Sequence, residues 1–329
     1  MTSILRDRTQ RIERITEIIQ RRVKGQDAAV REVSDSVAVS FAGLEDERRP
    51  ISSFLFLGTP GTGKTEMAKA LSEALFDDEE AMIRLDMSEF AEENSAQRLI
   101  GTADKRGILT EQVKHQPYAV VLLDEIEKGD RSVQDLFLQI LSDGIVHDHY
   151  GRPISFKNTI IIMTTNLAGA VINDEAEYNS ASDTDQKALA FEGNVENALH
   201  NYFRPEFVNR IEHKVVFQML TESVVEKIAR KYLQELTNKL AVRGYRFTYD
   251  DLVPKFLADV GFNLKNGARP LAYMTHRKVT APLARILLRL EQTGNTKQIT
   301  SFHARVIGKW PSKADHDRFG SRKLVFDAS

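Results

Sequence analysis

Gly58-Thr59-Pro60-Gly61-Thr62-Gly63-Lys64-Thr65 follows the apolar run Phe54-Leu55-Phe56-Leu57 and opens a helical pattern over Glu66 to Phe76. The local order is therefore strand, glycine loop, helix. Glycines at 58, 61 and 63 let the backbone curl until successive N–H groups face a phosphate at the positive end of the following helix. Lys64 adds a charge toward the β- and γ-phosphates, and the Thr65 hydroxyl is an oxygen donor for Mg²⁺. A glycine-rich turn that binds nothing would not need eight positions in this pattern with both flanking elements in place.

A chain of 329 residues holds about two domains and a sizeable core. With 42% hydrophobic and 28% charged residues the composition is that of an ordinary soluble chain. A formal net charge of −2 makes no electrostatic case for nucleic acid or an anionic membrane as partner. The absence of cysteine fits a reducing compartment. The charged amino terminus does not read as a signal peptide, and no apolar run has the length of a membrane span. A cytoplasmic protein is expected.

Short apolar runs at Phe54 to Leu57, Met82 to Leu85, Ala119 to Leu123, Thr159 to Met163 and Lys214 to Phe217 alternate with helical patterns. This predicts an α/β fold with a central, mostly parallel sheet flanked by helices, whose ligands bind at the carboxyl ends of the strands. The third run ends in Asp124-Glu125. Asp124 is placed to hold the Mg²⁺ shell, and Glu125 to polarise the water that attacks a γ-phosphate. The fourth ends at Asn166, whose amide can orient the same water.

Ahead of the sheet, helices are predicted over Thr9 to Arg22 and from about Asp27, broken at Val23-Lys24-Gly25-Gln26. Behind it the period becomes helical, with Val225, Ile228, Tyr232 and Leu236 on one face. Tyr245, Phe247 and Tyr249 alternate as a half-buried strand, and Gly267-Ala268-Arg269-Pro270 opens a helix running to about Leu290. Lys323 to Phe326 reads as an edge strand. The boundary falls near Gln218, giving a large nucleotide-binding domain over 1–217 and a smaller, mainly helical α+β domain over 218–329. Leu167 to Asn194 turns polar and acidic and reads as disordered. His147-Asp148-His149 carries metal-capable side chains without a further ligand, so no metal site is expected there.

Taken together, the phosphate loop, Asp124-Glu125, Asn166, Arg210 and Arg269 resemble an AAA+ P-loop NTPase module. Asp86-Met-Ser-Glu-Phe, Val121-Leu-Leu-Asp-Glu-Ile-Glu-Lys, Phe203-Arg-Pro-Glu-Phe and Gly267-Ala-Arg-Pro-Leu narrow the likeness to the second ATPase module of the Clp/ClpB unfoldases and disaggregases. The resemblance implies an ATPase using ATP and Mg²⁺. Lys64, Asp124, Glu125, Asn166, Arg210 and Arg269 would be catalytic, with Asn166 as sensor 1, Arg210 as arginine finger and Arg269 as sensor 2 that also touches nucleotide. Val23 and Lys24 would fall in the adenine-lining segment. It implies further a homo-oligomeric, hexameric ring with nucleotide at subunit interfaces, acting on a protein substrate or adaptor.

Two departures qualify that picture. The family's pore loop carries a Gly-Tyr-Val-Gly type segment, whereas Gly101-Thr-Ala-Asp-Lys-Arg-Gly107 is shorter and has no aromatic. The Ile/Leu-Gly-Phe/Leu tripeptide of protease-docking members is missing, so docking to a proteolytic chamber is not expected. Two functions stay open: ATP-driven remodelling or unfolding of proteins, and an ATP-dependent assembly switch or partner-binding scaffold that threads nothing.

Overall fold

The computed structural model describes residues 14–43, 46, 48–167, 169, 172, 193–263, 266–293, 300–308 and 322–328. The chain forms two compact units, Met1–Met219 and Leu220–Ser329. The acidic stretch assigned to disorder, apart from its ends and residues 169 and 172, and the start of the first predicted helix lie outside the described residues.

In the first unit, α1 (residues 14–22) and α2 (Asp27–Phe41) lead into β1 (Ser52–Leu57), then α3 (Lys64–Phe76) and β2 (Met82–Asp86). Two short helices, α4 (Ala96–Ile100) and α5 (Ile108–His115), precede β3 (Ala119–Asp124). The helix α6 (Arg131–Asp143), the hairpin of β4 (Ile145–His147) and β5 (Pro153–Ser155), and β6 (Thr159–Thr165) follow. The unit closes with α7 (residues 193–200), α8 (Pro205–Arg210) and β7 (His213–Val216).

Five strands pair in the order β2-β3-β6-β1-β7, all parallel. Every residue of β1 and β6 is buried, as a sheet covered on both faces requires. Leu55, Leu57, Val121, Leu123, Ile161 and Met163 face one apolar layer; Phe54, Phe56, Val120, Leu122, Ile160 and Ile162 face the other. Each such side chain contributes about 1.5–3 kcal/mol on burial. The second layer is closed by Ile15, Ile19, Val30, Val33 and Val37 of α1 and α2, the apolar stripes that the sequence shows.

β1 starts two residues earlier than the apolar run because its two serines are satisfied inside the core. Ser52 Oγ lies 2.8 Å from Ser36 Oγ. Ser53 Oγ accepts from the Glu212 N–H at 3.1 Å, and Glu212 Oε2 accepts from the Ser53 N–H at 3.2 Å.

The second unit has α9 (Glu222–Val242), β8 (Arg246–Tyr249) and α10 (Leu252–Gly261). After them come α11 (Arg269–Thr275), a π-helical turn at His276–Thr280, α12 (Ala281–Thr293), β9 (Ser301–Ile307) and β10 (Lys323–Ala328). The helix expected from Gly267 to Leu290 is thus interrupted by a π turn, which a 3.6-residue period does not reveal. β10 is an edge strand of the sheet β10-β9-β8. Its partner β9 buries Phe302 and Ala304. Among the described residues no helix is long and apolar enough to cross a membrane.

Candidate active site

The parallel register brings three strand ends side by side. Leu57 pairs with Thr165 and Leu123 with Met163. Gly58, Asp124 and Asn166 therefore leave one edge of the sheet together, at its carboxyl end.

The loop turns as its glycines allow, with φ of 154° at Gly58, 76° at Gly61 and 108° at Gly63. At Gly58 the requirement is also steric, since a Cβ would stand 2.6 Å from the Phe217 carbonyl oxygen. Gly63 ends the loop and Lys64 begins α3, so free N–H groups of a helix start point into the curl.

Lys64 is 8% exposed. Its ammonium donates to the Gly58 carbonyl at 2.5 Å, the Thr59 carbonyl at 3.0 Å and Asn166 Oδ1 at 2.9 Å. The other end of that amide, Asn166 Nδ2, donates to Glu125 Oε1 at 3.3 Å. One side chain thus spans the loop lysine and the carboxylate named as candidate base.

Glu125 has a left-handed backbone, φ 59° and ψ 56°. A non-glycine residue there carries about 1–3 kcal/mol of strain and persists only where its surroundings hold it. Thr164 does the holding: its hydroxyl accepts from the Glu125 N–H at 3.0 Å and donates to Asp124 Oδ1 at 2.7 Å. The second Asp124 oxygen accepts from Arg84 Nη2 at 2.7 Å. Glu125 Oε2 pairs with Lys128, and this hydrogen bond keeps the Lys128 ammonium above its ordinary value. Glu127 Oε1 accepts from the Asn166 N–H at 3.1 Å.

A hydroxyl at Thr65 and a carboxylate at Asp124, carried by α3 and the strand it packs against, are hard oxygen donors of the kind Mg²⁺ takes. The donor set fits that ion.

On the far side of the loop Val23 is 4% exposed and would lie 3.7 Å from a Cβ at Gly63. Lys24 donates to the Gln20 carbonyl at 2.9 Å. Gln26, 3% exposed, was legible only as part of a helix break, yet it clasps two segments. Its Nε2 donates to the carbonyls of Thr62 at 3.0 Å and Gln218 at 2.9 Å, while its Oε1 accepts from the Gln218 N–H at 3.1 Å.

Arg210 and Arg269, the two remaining expected site residues, are carried by α8 and α11. Arg210 is the last residue of α8, exposed, and without a side-chain partner among the described residues. Its neighbour Arg204 is tied to Asp135. Arg269 opens α11 in the second unit and is likewise exposed.

The segment from Gly101 to Gly107 closes on itself. Gly101 bridges Arg106, and Thr102 and Lys105 exchange backbone hydrogen bonds at 2.8 and 3.3 Å. Ala103 to Arg106 are exposed. His147 ends β4, and Asp148 is engaged by Arg152, at 2.8 Å from its Nε and 2.6 Å from its Nη2.

Residues 49–214 match the family model described as AAA domain (Cdc48 subfamily), and residues 220–300 match the C-terminal, D2-small domain of ClpB protein. The chaperone protein ClpB of Rhodopirellula baltica is 44% identical over 279 residues, covering 83% of this chain and 31% of that one. The probable chaperone protein ClpB 1 of Chlorobaculum tepidum is 42% identical over 296 residues, 88% of this chain and 67% of that one. Against the other curated ClpB relatives compared, the chain spans about a third of their length. A closed-state reconstruction of Hsp104:ATPyS and FITC casein superposes with a TM-score of 0.79 at 31% identity, over 97% of this chain and 52% of that one. An Hsp104-ADP complex of S. cerevisiae gives 0.77 at 32% identity, over 94% and 52%.

Proposed function

Since the chain belongs to the AAA family and, within it, to ClpB, we propose that it binds ATP at Gly58 to Thr65 and hydrolyses it, coupling turnover to remodelling or unfolding of proteins. The observation that carries this reading is the Asn166 amide, joined at once to Lys64 and Glu125.

In this reading the loop N–H groups and Lys64 bind the β- and γ-phosphates, and Val23 and Lys24 line the adenine. Mg²⁺ held by Thr65 and Asp124 would neutralise charge on the phosphates. Glu125 accepts a proton from the attacking water, and Asn166 orients that water between its own amide and the carboxylate. Phosphoryl transfer asks for positioning and charge more than covalent chemistry, and these residues supply both. Residues 1–217 form the nucleotide-binding domain and 218–329 the smaller C-terminal domain, whose Arg269 is the sensor 2 arginine. Arg210 serves the site of a neighbouring subunit in a hexameric ring, which accounts for an exposed arginine without an ion pair among the described residues.

Glu125→Gln should keep ATP binding while turnover falls at least 100-fold, in the range typical of a lost general base. Lys64→Ala should lose binding. Unfolding of a tagged model protein should need the turnover that Glu125→Gln removes; brisk hydrolysis with no unfolding in any substrate would sink the remodelling half of the proposal.

A second reading is favoured by the closed Gly101 to Gly107 segment, whose exposed side chains are small or charged. Such a tip offers only screened charge to a passing chain, where an aromatic would offer apolar contact area. An ATP-dependent assembly switch would then be the function. It requires that Glu125→Gln assemble with ATP as the parent chain does and retain the full output.

A further inference from the structure

Glu127 follows the catalytic pair by two residues, and nothing in the reading above uses it. One of its oxygens, Oε1, accepts from the Asn166 N–H at 3.1 Å. The other, Oε2, is buried with no hydrogen-bond partner among the described residues. A carboxylate kept dry on one oxygen is a costly construction, and buried polar groups left that way are uncommon. A helix turn or strand end that merely needed its N–H satisfied could use a neutral acceptor or a backbone carbonyl. What the carboxylate secures here is the backbone of one residue, and that residue carries the amide between Lys64 and Glu125.

The geometry is informative for a second reason. Asn166 sits one position beyond the last residue of β6, where ladder hydrogen bonds no longer hold the chain. Ile126 to Lys128 form a single 3₁₀ turn after the strained Glu125. The Glu127 bond ties these two strand-end segments to each other across 39 positions of sequence. Loss of the tie would leave the loop and Glu125 in place but free the peptide that aims the amide.

We propose that Glu127 is a positioning residue for ATP hydrolysis, fixing the main chain of Asn166 so that its side chain spans Lys64 and Glu125. This rests on the hydrolytic reading of the site, and a parent chain that binds ATP without turning it over would remove that reading before any variant is made.

The test uses the full chain. Glu127→Ala should leave ATP affinity within about twofold and lower kcat on the order of 10- to 100-fold, as displacement of a catalytic group by about an ångström does. Glu127→Gln keeps an acceptor oxygen and should recover kcat to within a few-fold of the parent. In Asn166→Ala, adding Glu127→Ala should slow turnover little further, since both act through one amide. Hydrogen exchange at the Asn166 amide should accelerate in Glu127→Ala even without nucleotide. The proposal is overturned if Glu127→Ala turns over like the parent, if Glu127→Gln is as slow as Glu127→Ala, if the two losses add, or if affinity and kcat collapse together with the fold.

Discussion

Thr164 has no chemistry of its own, yet its hydroxyl serves Asp124 and Glu125 together. Thr164→Val keeps the shape and removes both hydrogen bonds, so stability should fall by about 1–3 kcal/mol, read from urea unfolding. Turnover should fall with it while nucleotide affinity changes less. Gly58→Ala is a different kind of insult, because the new methyl would meet the backbone oxygen of Phe217 at 2.6 Å. A loss of about 1–3 kcal/mol is expected, together with weaker ATP binding in a fluorescence titration. Candidate residues whose pattern is local to their own segment could be read directly: the loop glycines, Lys64, Asp124 and Glu125 stand out by their neighbours in sequence. Thr164, Arg84, Gln26 and Glu127 could not, since each acts on a partner far along the chain, 192 positions away in the case of Gln26 and Gln218. Only the paired strands bring them together.

At the scale of elements, the alternation of apolar runs and helical patterns was enough for the parallel sheet, because a strand buried on both faces leaves no polar alternation to confuse it. The β4–β5 hairpin was not seen, because three-residue strands are too short for a period. It is held by Asp148, whose carboxylate accepts from the backbone of Tyr150 and Arg152, each at 2.9 Å, and from the Arg152 side chain. The Arg152 hydrogen bonds hold the Asp148 carboxyl below its ordinary value. A lowered folded value means the contribution is complete above the ordinary carboxylate range and is lost as pH falls through the folded value. Amide protection at Tyr150 and Arg152 should therefore be flat from neutral pH to about pH 5 and decline only in stronger acid; Asp148→Asn should show weakened protection at neutral pH and no further decline in acid. Gly107 makes a matching case. A Cβ there would stand 2.4 Å from the Leu99 carbonyl and 2.3 Å from Thr110 Oγ1. Gly107→Ala should open the 101–107 hairpin, seen as faster proteolysis between Ala103 and Arg106.

For the molecule as a whole, Arg210, exposed and unpaired among the described residues, leads to a prediction about mixtures. If it completes a neighbour's site, Arg210→Ala and Lys64→Ala should each be nearly inactive, while mixed assemblies recover a measurable fraction of ATPase activity. Failure of every mixing ratio to recover activity would place Arg210 outside catalysis. The clasp formed by Gln26 bears on where this chain may be cut. Its buried amide group is satisfied by both the N–H and the carbonyl of Gln218, so the smallest piece of the first unit that keeps its interior closed must carry that residue. A fragment ending at residue 219 should melt higher than one ending at 217, although the two differ by residues that add nothing to the sheet.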